Sequence, residues 1–402
     1  MKDLFVATAI IIFCLQSFRT NAQSKGNIIL AKDYIHVRSG LWDAFTHIKN
    51  KRATVAFLGG SITNMEGWRH KTSDYLQAQF PATHFKFINA GIPSLGSVPH
   101  AFRLKNDLPD LQNVDLLLVE AAVNDHVNGT DSLTQLLALE GIIRQAKKAN
   151  PRISILMMEF ADPSKNRDYD DHKIPIEIKN HERVAAYYNV TSINLAKLVH
   201  DKIRNNEFSW EKDFKDLHPS PFGQELYFSV IKDALTAGFA KNDRRHKILP
   251  KPLNPGNFEN GYYGSFAAAK PADGWNLVAN WKPSDKIHTR EGFVNVPVLE
   301  SNTPGAILEY DFTGNAIGVA ILSGPDAGII EYSIDGKPFE KKDQFTEWSK
   351  SLYLPWYILI QDRLPDGKHV LRLKVSDERN TESAGNTCRI VHFLVNGKKT
   401  AE

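Results

Sequence analysis

The chain has 402 residues, enough for two domains with substantial cores. Its formal net charge is +3, and the 49 basic residues are dispersed rather than gathered into a stripe with interleaved aromatics, which argues against a nucleic-acid surface. There are two cysteines, Cys14 and Cys388, and no Cys/His cluster of zinc spacing, no P-loop and no EF-hand loop, so neither a metal nor a cofactor is expected.

Residues 1–22 read as a secretory signal peptide. Lys2 precedes an apolar run from Leu4 to Leu15, and Thr20-Asn21-Ala22 offers a cleavage site before Gln23. The run is too short for a membrane span, so none is expected in the mature chain. Phe13 stands where a lipoprotein signal would put a small residue before Cys14. Removal of the signal leaves Cys388 alone, without an intrachain disulfide. The expectation is a secreted or periplasmic bacterial protein held together by its cores.

From residue 27 to 245 the pattern alternates. Short apolar strands are expected at 54–58, 85–89, 115–120, 153–159 and 192–195. Helices are expected at 71–80, 98–107, 132–149, 176–188 and 222–240. Such alternation predicts right-handed crossovers and a parallel sheet covered on both faces. Residues 246–256, rich in proline, read as a linker. From 257 to 399 helical periodicity fades and strands are expected at 307–311, 316–322, 329–334, 353–359, 369–375 and 389–395. Asp335-Gly336 and Asp366-Gly367 are hairpin signals, and the segment reads as an all-β, jelly-roll-like sandwich.

Four polar constellations fall at the carboxyl ends of strands or in loops at that edge, where open α/β sheets place their sites. The first is Val55-Ala56-Phe57-Leu58-Gly59-Gly60-Ser61-Ile62-Thr63. A strand, two glycines and a helix start lift the Ser61 hydroxyl above the sheet, beside free helix N–H groups. Thr63 rules out the Gly-x-Ser-x-Gly elbow, and an ordinary turn with Ser61 as a helix cap is the plain alternative. The second is Asn89-Ala90-Gly91 followed by Pro93, Ser94, Leu95 and Gly96, whose N–H groups can serve an oxyanion. The third is Val123-Asn124-Asp125, where the Asn124 amide can do the same or simply cap a turn. The fourth is Asp216-Leu217-His218, a carboxylate two residues before an imidazole, just ahead of a helix opened by Pro221.

In their order and placement these blocks resemble the SGNH, or GDSL, hydrolases over residues ~50–240, in the branch with Gly-Gly-Ser-Ile-Thr. The resemblance implies a three-layer, flavodoxin-like α/β domain and a serine esterase acting on carbohydrate esters. It implies Ser61 as nucleophile, His218 as base, Asp216 as orienting acid, and an oxyanion hole from the N–H of Ser61, a loop N–H at Ser94 or Gly96, and the Asn124 amide. Two departures stand out. The family's acid lies three residues before the histidine, where this chain has Lys215, so Asp216, Asp213 or no acid at all remain open. The family's oxyanion glycine falls, by spacing, on Ser94.

The expected partner is an acylated, foremost acetylated, oligosaccharide or polysaccharide. One alternative is a glycosidase using carboxylates such as Glu159 and Asp162; another is a catalytically silent carbohydrate-binding protein. Trp348, Trp356 and Tyr357 are candidates for stacking on sugars, whereas Trp275 and Trp281 are expected in core or interdomain packing. The turn Ser323–Gly328 is a candidate to face the cleft, although a plain tight loop explains it too. His181 is expected either near the cleft or on an exposed helix face. The sequons at Asn128 and Asn189 mean little in a bacterial export context.

Overall fold

The computed structural model describes residues 29–243 and 248–399. The signal-like segment and the first part of the expected linker lie outside the described residues.

The α/β domain runs β1 (Ile35–His36), α1 (Trp42–Lys49), β2 (Arg52–Gly59), α2 (Ser61–Asn64), α3 (Trp68–Gln79), β3 (His84–Gly91), α4 (Ser97–Asp107) and β4 (Leu116–Glu120). It continues through α5 (Ala122–Val127), α6 (Ser132–Ala149), β5 (Ser154–Glu159), α7 (Pro163–Asp170), α8 (Ile176–Tyr187), β6 (Thr191–Asn194), α9 (Leu195–Arg204) and α10 (Pro221–Ala240). The sheet order is β1-β6-β5-β4-β2-β3. All neighbours are parallel except the short β1, which pairs antiparallel with β6 as an edge. The β4 and β5 strands are buried along their whole lengths, as a sheet sandwiched by helices requires. Apolar clusters fill both faces: Leu58, Leu117, Val119 and Ile142 on one, Val55, Phe57, Leu118 and Ile231 on the other.

This order reverses direction between β2 and β4. The chain leaves β2 toward β3 on one side and returns to β4 on the other. The loops leaving β2 and β4 therefore splay apart and open a crevice, the place where ligands meet open α/β sheets.

The β domain comprises β7 (Gly261–Gly264), β8 (Ala269–Pro271), β9 (Asn276–Trp281), β10 (His288–Thr289), β11 (Val296–Ser301), β12 (Ile307–Gly314) and β13 (Ala316–Ser323). Beyond these lie β14 (Ile329–Ile334), β15 (Glu340–Asp343), β16 (Leu352–Gln361), β17 (Gly367–Val375) and β18 (Cys388–Asn396). They form a seven-stranded and a five-stranded sheet, antiparallel apart from the β10–β16 pair. A core of Leu308, Ile321, Leu373 and Phe393 lies between them, and Trp275 belongs to it.

Of the two hairpin signals, Asp335-Gly336 joins β14 to β15 with positive φ at both residues, as a type I′ turn needs. Asp366-Gly367 does not make a hairpin. Its flanking strands β16 and β17 belong to different sheets, so the turn carries the chain across the sandwich. A turn dipeptide specifies a reversal and leaves open which strands pair.

Candidate active site

Ser61 opens the single helical turn α2, with Gly60 before it as the cap. Two glycines are needed here for close approach. A Cβ on Gly59 would lie 2.1 Å from Thr63 Oγ1, and one on Gly60 would lie 2.1 Å from Asn124 Oδ1 and 3.3 Å from the Leu95 carbonyl. Gly60-Ser61, Leu95-Gly96 and Asn124 thus converge at the crevice between β2 and β4. A Cβ on Gly96 would meet Asp125 Oδ1 at 2.5 Å, so the 94–96 loop backs directly onto the Asn124–Asp125 turn. Ser94 has φ +71°, a left-handed conformation that suits glycine.

His218 Nε2 lies 2.7 Å from Ser61 Oγ, across 157 residues of sequence. The loop that delivers His218 is held at both ends. A π turn, Trp210–Phe214, precedes it, and Lys215 closes that turn in the left-handed region at φ +77°. Pro221 starts α10 behind it, with Ser220 as the cap. The histidine side chain is about half exposed, at 47%. The hydroxyl–imidazole pair therefore faces solvent.

The acid stands less close. Asp216 Oδ1 lies 3.8 Å from His218 Nδ1, an ion-pair distance rather than a hydrogen bond, and it accepts the His218 backbone N–H at 3.3 Å. Asp213 points away: its carboxylate accepts the Ser209 N–H at 2.8 Å and braces the π turn. Of the two candidates, only Asp216 is within reach of the imidazole.

Beneath the crevice lies a buried polar scaffold that sequence reading missed. Arg103 is fully buried, donating to the Gly59 carbonyl at 3.1 Å and the Ala90 carbonyl at 2.6 Å, and it pairs with Asp107. It also donates to His100 Nδ1, whose Nε2 reaches the Glu120 carbonyl at 3.1 Å. One guanidinium thereby ties the ends of β2 and β3, and through His100 that of β4. The Glu120 carboxyl receives the N–H groups of Gly60 and Val123, and Asp125 receives the N–H and hydroxyl of Ser97. Burial pushes the pKa of each of these two carboxyls up to about 7. An arginine on the inner face of an amphipathic helix, three before Asn106-Asp107, was the signal available.

Other expectations are corrected. Glu159 and Asp162 do not form an accessible carboxylate pair: Glu159 is wholly buried, with its pKa driven well up by desolvation, and Asp162 is buried against Lys165. His181 is neither exposed nor in the cleft. It is buried, bonded to the Glu177 carbonyl, and its pKa falls to about 4 through burial, because α8 packs that face against α5 and α6. The Ser323–Gly328 turn serves the β domain, where Asp326 forms a two-pronged pair with Arg389. The β-domain segment that lines the cleft beside α2 is Arg290–Phe293, with Tyr263 and Tyr357. Trp281 is buried, and Trp348 and Trp356 pack on one another at 5.9 Å.

The α/β domain places a serine–histidine pair at the switch point of its parallel sheet. Residues 57–226 match the model of the GDSL-like Lipase/Acylhydrolase family. Across nearly the whole chain the structure is similar to a two-domain esterase (CEX) active on acetylated mannans, crystallised with mannopentaose. The TM-score is 0.75 at 19% identity, covering 94% of this chain and 100% of that one. A catalytic mutant of the acetylxylan esterase Axe2 from Geobacillus stearothermophilus matches at TM-score 0.38 and 15% identity, over 46% of this chain and 94% of its own. No curated protein sequence matches the chain. Among the described residues no helix is long and apolar enough to cross a membrane.

Proposed function

We propose that this protein is an exported serine esterase that removes acyl groups, acetyl foremost, from an oligosaccharide or polysaccharide. The observation that carries the reading is the 2.7 Å contact between Ser61 Oγ and His218 Nε2 at the switch point, opposite Asn124. Ser61 attacks the ester carbonyl while His218 takes its proton. The oxyanion is met by the Ser61 N–H, an N–H of the Ser94–Gly96 loop and the Asn124 amide. His218 then protonates the departing sugar hydroxyl, and water resolves the acyl-enzyme by the same route in reverse. Asp216 closes on Nδ1 as the imidazolium forms, since opposite charge draws the exposed carboxylate in. Three things favour a carbohydrate ester: the signal-like segment at residues 1–22, the open cleft between the domains, and the fold shared with an esterase active on acetylated mannans.

The test is acetate release from acetylated polysaccharides, with covalent labelling by a serine-directed phosphonate. Ser61→Ala should abolish labelling and reduce turnover of p-nitrophenyl acetate below about a tenth of the parent rate. Labelling elsewhere, or activity that survives the substitution, would remove Ser61 from the mechanism. Absence of both labelling and turnover in the parent would leave a carbohydrate-binding protein.

A further inference from the structure

A cleft of about 670 Å3 lies between the domains. On one side it is walled by Asn64, Asn89 and Pro93, and on the other by Tyr263, Arg290 and Phe293. Asn64 ends the helical turn that Ser61 begins, so the cleft starts one turn from the nucleophile. A polymer whose acyl group reaches Ser61 can lay a neighbouring sugar along this wall.

The charges around the cleft are unequal in their commitments. Asp107 is engaged by Arg103. Glu291 stands exposed at the rim, where water screens it. His392 is neutral, because burial lowers its pKa to about 4, and its ring stacks on Tyr263 at 3.8 Å. Arg290 is the remaining cation of the lining. Its Nε–H is buried and meets no acceptor among the described residues. Desolvation lowers its pKa, and no neighbouring charge opposes that. Its backbone is also held: the Arg290 N–H donates to the Tyr353 carbonyl at 2.8 Å and its carbonyl accepts the Phe293 N–H at 3.1 Å. A guanidinium half out of water without a partner weakens the fold unless something else completes it.

We infer that the cleft takes an anionic sugar unit of the acylated glycan, and that Arg290 receives its charged substituent. Both a uronate carboxylate and a sulfate ester present the paired oxygens that the planar guanidinium fork accepts. The half-buried Ile92 and Pro93 offer an apolar flank to the unsubstituted face of a pyranose. The placement of this unit beside Ser61 rests on the esterase reading, whereas the anion site itself does not.

Titration calorimetry on the full chain tests it without catalysis. The probes are an oligogalacturonide with its neutral methyl ester, and a sulfated oligosaccharide with its desulfated parent. One anionic probe should bind about tenfold tighter than its neutral counterpart at low salt, with the advantage shrinking at about 0.5 M salt. The pair showing the preference identifies the substituent. Arg290→Gln should bring that ratio to about one, and Arg290→Lys should keep part of it. Equal affinities within both pairs, no binding at all, or a preference that outlives Arg290→Gln would overturn the inference. Acetate release from the acetylated probes is followed in parallel. Charge preference without any release from any glycan counts against the esterase reading alone, and release without preference counts against the anion site alone.

Discussion

At the scale of single residues, the site depends on space as much as on functional groups. Gly60 has an unremarkable φ of −91°, so its backbone would accept other residues. Its neighbour would not, because an added Cβ would lie 2.1 Å from Asn124 Oδ1. Gly60→Ala should therefore displace the Asn124 amide and mimic its loss. Both Gly60→Ala and Asn124→Ala should lower kcat by roughly 10²–10³ with little change in KM, as expected for a donor that acts on developing charge. A KM effect alone in steady-state kinetics would assign Asn124 to ground-state binding. The acid is decided by reach. Asp216→Asn should lower kcat by about 10²–10⁴, by analogy with the loss of an orienting carboxylate in a triad. Asp213→Asn should spare kcat and instead lower thermal stability modestly, because it removes the charge that braces Ser209. Equal and negligible kinetic effects from both would leave a Ser–His dyad.

At the scale of elements, α4 and α5 form the platform under the crevice. Asp125 pins the first turn of α4 through Ser97, and Glu120 receives the N–H of Gly60. Both carboxyls have folded-state pKa values raised to about 7 by burial, well above their unfolded values. Their neutral forms are the ones that suit the fold. Their full contribution is present in acid and is lost as pH rises through about 7. Each can cost the folded state up to about 1.4 kcal/mol per pH unit between about pH 4 and pH 7. The melting temperature should fall from pH 5 to pH 8 on this account. Asp125→Asn, which keeps an acceptor for Ser97 without the charge, should reduce that slope by about half. A slope unchanged by the substitution in scanning calorimetry would show that the carboxyl titrates equally in both states.

At the scale of the whole molecule, the two domains share their interior. One apolar cluster runs from Ala56, Leu117 and Ile142 in the α/β domain through Phe258 to Trp281, Val298 and Leu394 in the β domain. The connecting segment is fastened by buried polar groups. Glu140 on α6 receives the Leu253 and Asn254 N–H groups and the Tyr188 hydroxyl, and Gln145 donates to the carbonyls of Ala101 and Phe258. A chain ending near residue 245 would expose this face and should aggregate on expression. Glu140→Ala should lower stability by about several kcal/mol and open the 248–257 segment to proteolysis, since four donors, the Asn254 side-chain amide included, lose a buried acceptor. A soluble, monomeric and active truncation would show that the shared core is dispensable.

Sequence alone reached far in this protein because its signals are local. Apolar runs marked β2 to β6, and their alternation with helices implied the parallel sheet, since a strand buried on both faces carries its own signature. Gly59-Gly60-Ser61 marked a close-packed turn, and Asp216-Leu217-His218 set a carboxylate within reach of an imidazole, each within a few residues. What stayed hidden depended on distance. The short β1 and the Asp366-Gly367 crossing turn on which strands meet, which no turn dipeptide encodes. The placing of Asp213 on Ser209, the burial of Glu159 and His181, and the Arg103 clamp follow from packing against elements remote in sequence. The cleft wall at Arg290 exists only because a second domain folds back on the first. Local chemistry is written in the order of residues, but the dielectric and the partner that each charged group meets are properties of the assembled interior.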